Sequence, residues 1–139
     1  MIIRIGTAGW SFPRDLDFPV DIVGYPTIRE EDGLAVSSRN AYLTPEERVI
    51  APGIRAAMLA AAAKKTPSAI IRDARLRIAR LPGALLDYIS LVDASTLEPV
   101  RRLDRETTLA VAVFLGRTRL IDNLQIPASA DPAAAKARS

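Results

Sequence analysis

The sequence has neither cysteine nor histidine among its 139 residues. The first absence excludes disulfides, thiolate metal sites and a cysteine nucleophile, and it suits a reducing compartment. The second removes the commonest general base at neutral pH and the commonest metal ligand, so histidine-dependent triads and zinc-hydrolase motifs are excluded within the chain. Aromatic residues make up only 5%, and nineteen basic residues are interspersed with sixteen acidic ones for a net charge of +3. Nucleic acid is bound through a concentrated basic stripe with aromatic platforms, so no nucleic-acid partner is expected. No apolar run approaches the roughly 18 residues of a membrane span, and the N-terminus lacks the basic and apolar regions of a signal peptide. The expectation is a cytoplasmic protein with no membrane segment.

With 49% hydrophobic and 25% charged residues, the composition is that of a folded globular body. Residues 1–6 alternate as a short strand would, residues 7–13 read as a loop, and Leu16 to Tyr25 as a second extended stretch. At Thr44-Pro45-Glu46-Glu47, Thr44 can cap a helix, Pro45 suits its first position and Glu47 completes a capping box. Ile50, Ile54, Met58 and Ala61 follow at helical spacing, with Pro52-Gly53 expected to kink or split the segment. Ser68 can cap a further helix to about Arg80, with Ile70, Ile71, Ala74 and Ile78 inward and Arg72, Arg75, Arg77 and Arg80 outward. Leu85 to Val92 reads as a strand and Asp93 to Leu97 as a turn. Thr107 to Leu115 is the most strand-like run, and Gly116-Arg117-Thr118 connects it to a last strand, Arg119 to Ile126. The fold class is therefore α+β, with about two to three helices and a three-stranded antiparallel sheet. Ala128 to Ser139 reads as a frayed tail.

Between Pro26 and Asn40 lies a long polar loop, and loops of that length inside compact domains are more often functional than accidental. Its end, Ser37-Ser38-Arg39-Asn40, offers two hydroxyls, backbone amides and a guanidinium able to hold phosphate through forked, charge-assisted bonds. Read alone, such a tetrad is far more often a surface turn ahead of a helix than a site. The charge run Arg29-Glu30-Glu31-Asp32 reads as a solvated face, and no metal ligands are assigned. Asp122-Asn123 reads as a turn or a set of structural hydrogen bonds at a strand end, and Trp10 as packing.

The continuous run Val23 to Arg48, VGYPTIREEDGLAVSSRNAYLTPEER, resembles a long signature of pantothenate synthetases. The likeness continues through Ile50-Ala51-Pro52-Gly53, Asp87-Tyr88, Leu91 to Leu97, and Leu115 to Asn123, and spans about residues 14–126. The resemblance implies an ATP-dependent condensation of pantoate with beta-alanine through a pantoyl adenylate, with Mg²⁺ accompanying ATP. It also implies a place among nucleotidylyltransferases with a Rossmann-like N-terminal domain. Val36-Ser37-Ser38-Arg39 then occupies the second nucleotide signature, related to KMSKS. Ser37, Ser38 and Arg39 are assigned to the triphosphate, with Arg39 and Ser38 as catalytic residues, and Ile28 and Val36 to the adenosine through backbone groups.

The same family carries a histidine-bearing HxGH signature and pantoate-holding glutamines that have no counterpart in this chain. The organisation expected is an atypical segment at 1–13, which looks like the opening of an unrelated TIM-barrel family, then a remnant of the nucleotide-binding domain and linker at 14–33. The C-terminal domain of the ligase follows at 34–126 and a flexible tail at 127–139. As a truncated ligase the chain is expected to be inactive alone and to act with a missing N-terminal domain or as a homo-oligomer. The alternative is a non-catalytic nucleotide-binding or interaction module derived from the ligase's lid.

Overall fold

The computed structural model describes residues 2–5 and 21–129. The expected loop at 7–13, Trp10 and the tail beyond Ser129 lie outside the described residues. Strands β1 (Ile2–Ile5) and β2 (Asp21–Gly24) form a parallel pair of their own. The rest of the described chain builds a two-layer α+β unit. A 3-10 turn at Ser38–Tyr42 leads into α1 (Pro45–Ile50), α2 (Pro52–Ala62) and α3 (Pro67–Ala79). These are followed by β3 (Ala84–Asp93), β4 (Thr107–Leu115) and β5 (Thr118–Ile126). The three strands form an antiparallel meander with β4 in the centre.

The helix boundaries follow from local chemistry. Thr44 caps α1 by accepting from the Glu47 amide at 3.2 Å, while the Glu47 carboxylate accepts from the Thr44 amide at 2.9 Å. This reciprocal box satisfies two otherwise unpaired helix-end donors. Pro52 splits the segment as expected, because it has no amide to bond back to α1 and suits the first position of a new helix. The cap of α3 is Thr66, not Ser68: with Pro67 at the first helical position, the capping residue is the one before it, and Thr66 Oγ1 accepts from the Ala69 amide at 3.2 Å.

Alternation in β4 places Leu109, Val111, Val113 and Leu115 on the face that meets the helices. Ile54, Met58 and Ala61 from α2 and Ile70, Ala74 and Ile78 from α3 close over them, with Leu91, Leu120 and Ile126 from the flanking strands. Each large side chain buried there contributes roughly 1.5–3 kcal/mol. The outward arginines of α3 are exposed as the pattern requires. The hairpin between β4 and β5 is tighter than the sequence suggests: Thr118 already pairs with Leu115, leaving Gly116-Arg117 as the turn. Gly116 has φ 55°, and a Cβ there would collide with the Glu47 carboxylate. The same glutamate therefore caps α1 and packs against the hairpin.

The turn after β3 is held by Asp93, whose Oδ1 accepts from the Ser95 hydroxyl at 2.6 Å and from the Ser95 and Thr96 amides at 2.7 and 3.0 Å. These bonds, led by the Ser95 hydroxyl, hold the buried carboxyl well below the usual carboxylate range. An unfolded Asp titrates near 3.9, so the unfolded chain takes up this proton first as acid is added. The stabilisation is complete above that pH and is lost as pH falls toward the depressed folded value. Thermal unfolding followed from pH 6 to pH 2 is expected to show a falling midpoint in the acid limb, and Asp93→Asn is expected to flatten that limb. The start of the expected tail is tied down: the Ser129 amide donates to the Leu103 carbonyl at 2.8 Å.

Candidate functional site

The long loop folds back on itself. Arg29 bridges to Ala35, the Val36 amide donates to the Ile28 carbonyl at 3.0 Å, and the Glu30 amide to the Leu34 carbonyl at 2.8 Å. Gly33, at φ 89°, makes the reversal, and the Asp32 carboxylate accepts from the Leu34 amide at 3.1 Å. Leu34 is the one side chain of the loop that enters the core.

The fold fastens this hairpin at a distant point. Arg29 donates two bonds to the Asp122 carboxylate, at 2.9 and 2.8 Å, and a third to the Gly33 carbonyl at 3.1 Å. The side chains of the pair are 20% and 10% exposed, so the fork is largely shielded from solvent. Asp122 lies inside β5, not at a strand end, and opposite Val111 on the helix-facing side. Its role is the structural hydrogen bonding expected of it: Oδ1 accepts locally from the Asn123 amide at 2.7 Å, and the fork adds Arg29, a partner that no local pattern connects to it. The exposed Asp32 is engaged by Arg48 at 2.6 Å, which lowers its pKa. Among the described residues no group of acidic side chains is placed to hold a metal ion.

With the hairpin fixed, the turn that follows is presented to a cleft of about 590 Å³ between the loop, the start of α2 and the sheet. Of the residues singled out in the sequence, Val36, Ser37 and Arg39 line this cleft, while Ile28 and Ser38 do not. Ser37 Oγ accepts from the Arg39 amide at 3.2 Å, which caps the 3-10 turn and leaves the hydroxyl hydrogen available to a ligand. Asn40 Nδ2 donates to the Ala35 carbonyl at 3.0 Å, tying the two ends of the motif together. Its Oδ1 is buried without a partner, as is Thr108 Oγ1, and both residues line the cleft. The Arg39 side chain is exposed and has no carboxylate partner among the described residues. Ile28 and Val36 are 76% and 55% exposed and adjoin each other through the backbone bond. The Ile28 amide and the Val36 carbonyl have no partner among the described residues, so they remain able to bond a ligand.

Three residues missed in the sequence belong to the same wall. Arg55 donates to the Asn123 carbonyl at 2.7 Å, Arg119 pairs with Asp87 at 2.6 and 2.8 Å, and Leu97 adopts φ 61°. A positive φ at leucine is uncommon and costs of order 1–3 kcal/mol. Their signal is long-range or conformational and is not carried by neighbouring residues.

A size of this order is that of small-molecule pockets. The fold is that of an α+β domain, and its cleft combines apolar walls with a hydroxyl, backbone amides and guanidinium groups, a donor set that suits an anionic ligand. The chain belongs to the pantoate-beta-alanine ligase family, whose pattern it matches over residues 11–125. It is 51% identical over 119 residues to a pantothenate synthetase of Rhizorhabdus wittichii, covering 83% of this chain and 42% of that protein. It is 47% identical over 115 residues to that of Desulfatibacillum aliphaticivorans, covering 79% and 41%. The fold superposes on the crystal structure of pantothenate synthetase from Thermus thermophilus with a TM-score of 0.76 and 40% identity, covering 82% of this chain and 43% of that one. The chain thus spans about two-fifths of the length of the relatives it matches.

Proposed function

We propose that this chain supplies the C-terminal part of a pantoate-beta-alanine ligase and holds the polyphosphate of ATP during formation of the acyl adenylate. In that reaction a pantoate carboxylate oxygen bonds to the α-phosphorus, the bond to the bridging oxygen breaks and pyrophosphate leaves. The beta-alanine amine then attacks the adenylate carbonyl and AMP departs as the amide forms. The observation that carries the proposal is the pinned hairpin with its Ser37–Arg39 turn facing the cleft.

Arg39 and the Ser37 hydroxyl are assigned to the triphosphate from their place in the cleft, and the Ser38 hydroxyl by the family resemblance alone. The Ser37 hydroxyl is held in place by the cap, and Arg39 brings a full charge and a planar fork to the departing pyrophosphate. Ile28 and Val36 offer one amide and one carbonyl to the adenosine. Mg²⁺ enters with the nucleotide. The 139 residues contain no histidine, so the transition-state donors that the family draws from HxGH come from a nucleotide-binding domain outside these residues. Residues 14–33 are then a part of that domain together with the linker, and 34–126 the ligase's C-terminal domain. The reading places the chain in the cytoplasm with its substrates; no helix among the described residues is long and apolar enough to cross a membrane.

A second reading, a nucleotide-binding or interaction module without turnover, is favoured by the sheet face opposite the helices. Leu85, Tyr88 and Ile121 there are 68%, 43% and 57% exposed. The two readings separate in an assay of pantoate- and beta-alanine-dependent AMP release. The chain alone is expected to give none, and the chain mixed with the N-terminal domain of a family member is expected to turn over. Nucleotide binding with no AMP in the mixture supports the module instead.

A further inference from the structure

Three guanidinium groups line the cleft, and their charges are not equally compensated. Arg119 is neutralised by its two bonds to Asp87. Asp122, the carboxylate of the lining, has both oxygens engaged by Arg29. Arg55, like Arg39, has no carboxylate partner among the described residues. Its one hydrogen bond goes to the neutral Asn123 carbonyl, which leaves four of its five N–H donors unassigned. Burial, and secondly the nearby Arg29 charge, press its pKa down against the smaller opposing pull of the Asp122 carboxylate, and an arginine keeps its proton under these conditions. A half-buried guanidinium without a carboxylate partner of its own is stabilised by an anion that reaches it. Thr108, 6% exposed, adds a buried hydroxyl with no partner in the same lining.

We propose that Arg55 is a second cation of the cleft and binds a phosphoryl group of the same polyphosphate that Arg39 holds. The inference rests on the nucleotide reading above and extends it to a residue outside the Ser37–Arg39 motif. With two guanidinium groups on separate elements, a ligand bearing several linked phosphates spans both, whereas a single phosphate or carboxylate engages one. Selectivity for polyphosphate follows from that difference.

The test is calorimetric titration of the 139-residue chain with Mg-ATP, inorganic tripolyphosphate and orthophosphate. Arg55→Gln is expected to weaken Mg-ATP and tripolyphosphate about tenfold or more, the scale of a lost charge-assisted bond, and to change orthophosphate far less. Arg55→Lys should recover part of the loss through charge, and Arg72→Gln, on the exposed face of α3, should change nothing. The salt dependence of tripolyphosphate binding should be shallower in Arg55→Gln, since one cation is gone. Unchanged affinity in Arg55→Gln with weakened binding in Arg39→Ala overturns the role of Arg55 and leaves the nucleotide reading standing. Absence of binding by the unsubstituted chain, or indifference to both substitutions, overturns both. A loss in Arg55→Gln that tracks a lowered melting midpoint and is not restored by lysine assigns Arg55 to structure alone and also overturns the proposal.

Discussion

Arg39→Ala is expected to lower AMP formation about 100-fold or more in the reaction completed with an N-terminal domain, the scale for loss of one preorganised transition-state donor. The effect should fall on chemistry and not on folding. The Arg39 side chain is exposed and makes no hydrogen bond among the described residues, while its amide donates to Ser37 Oγ. Alanine keeps that amide, so the 3-10 cap and the Asn40–Ala35 tie both survive. The melting midpoint should therefore hardly move, since exposed substitutions away from such features stay within about 0.5 kcal/mol. Arg39→Lys should recover only part of the rate, because an ammonium supplies charge without the planar fork that matches a phosphate. A rate for Arg39→Ala within about threefold of the unsubstituted protein removes the residue from the mechanism; the benchmark is again the scale for lost donors.

Asp122→Ala should produce the largest loss of stability among substitutions near the cleft. It removes both forked bonds to Arg29 and leaves a mostly shielded guanidinium beside Arg55 with only the Gly33 carbonyl to bond. Breaking one side of a buried pair costs about 3–5 kcal/mol, and the partial exposure here brings the expectation to about 2–3 kcal/mol. Urea unfolding should show it as a shifted midpoint. Faster amide exchange at Val36 and Leu34 should show the hairpin released from β5, and the affinity for Mg-ATP should fall because the motif is no longer held against the cleft. The double substitution Arg29→Ala with Asp122→Ala should be less destabilised than the sum of the two single ones, since neither charge is then left unpaired. A midpoint change in Asp122→Ala below about 0.5 kcal/mol, the range of ordinary surface positions, would show that the fork does not anchor the loop.

The same pair shows where sequence reading ends. The capping box at Thr44 and Glu47, the break at Pro52 and the alternation of β4 are legible because each is decided by residues within one or two turns of chain. So is the polar character of the Ser37–Asn40 turn. The Arg29–Asp122 fork joins residues in a loop and a strand whose contact exists only once the sheet has formed, and the neighbours of Asp122 suggest only a turn or local hydrogen bonds. The α3 cap falls two residues before the serine that the sequence suggests, because serine and threonine are both competent caps and the position of Pro67 decides between them. Arg55 is hidden for a related reason: it sits on a helix whose apolar pattern names the inner face, and nothing local says that its own side borders a cleft. The positive φ of Leu97 likewise follows from the Asp93-held turn and not from leucine.

The central claim, that the Ser37–Arg39 turn is a polyphosphate site carried by this domain, is tested most directly by calorimetric titration of the 139-residue chain with Mg-ATP. Saturable one-to-one binding that Arg39→Ala weakens strongly is the predicted result. Absence of any binding heat, or binding that Arg39→Ala leaves unchanged, would contradict it.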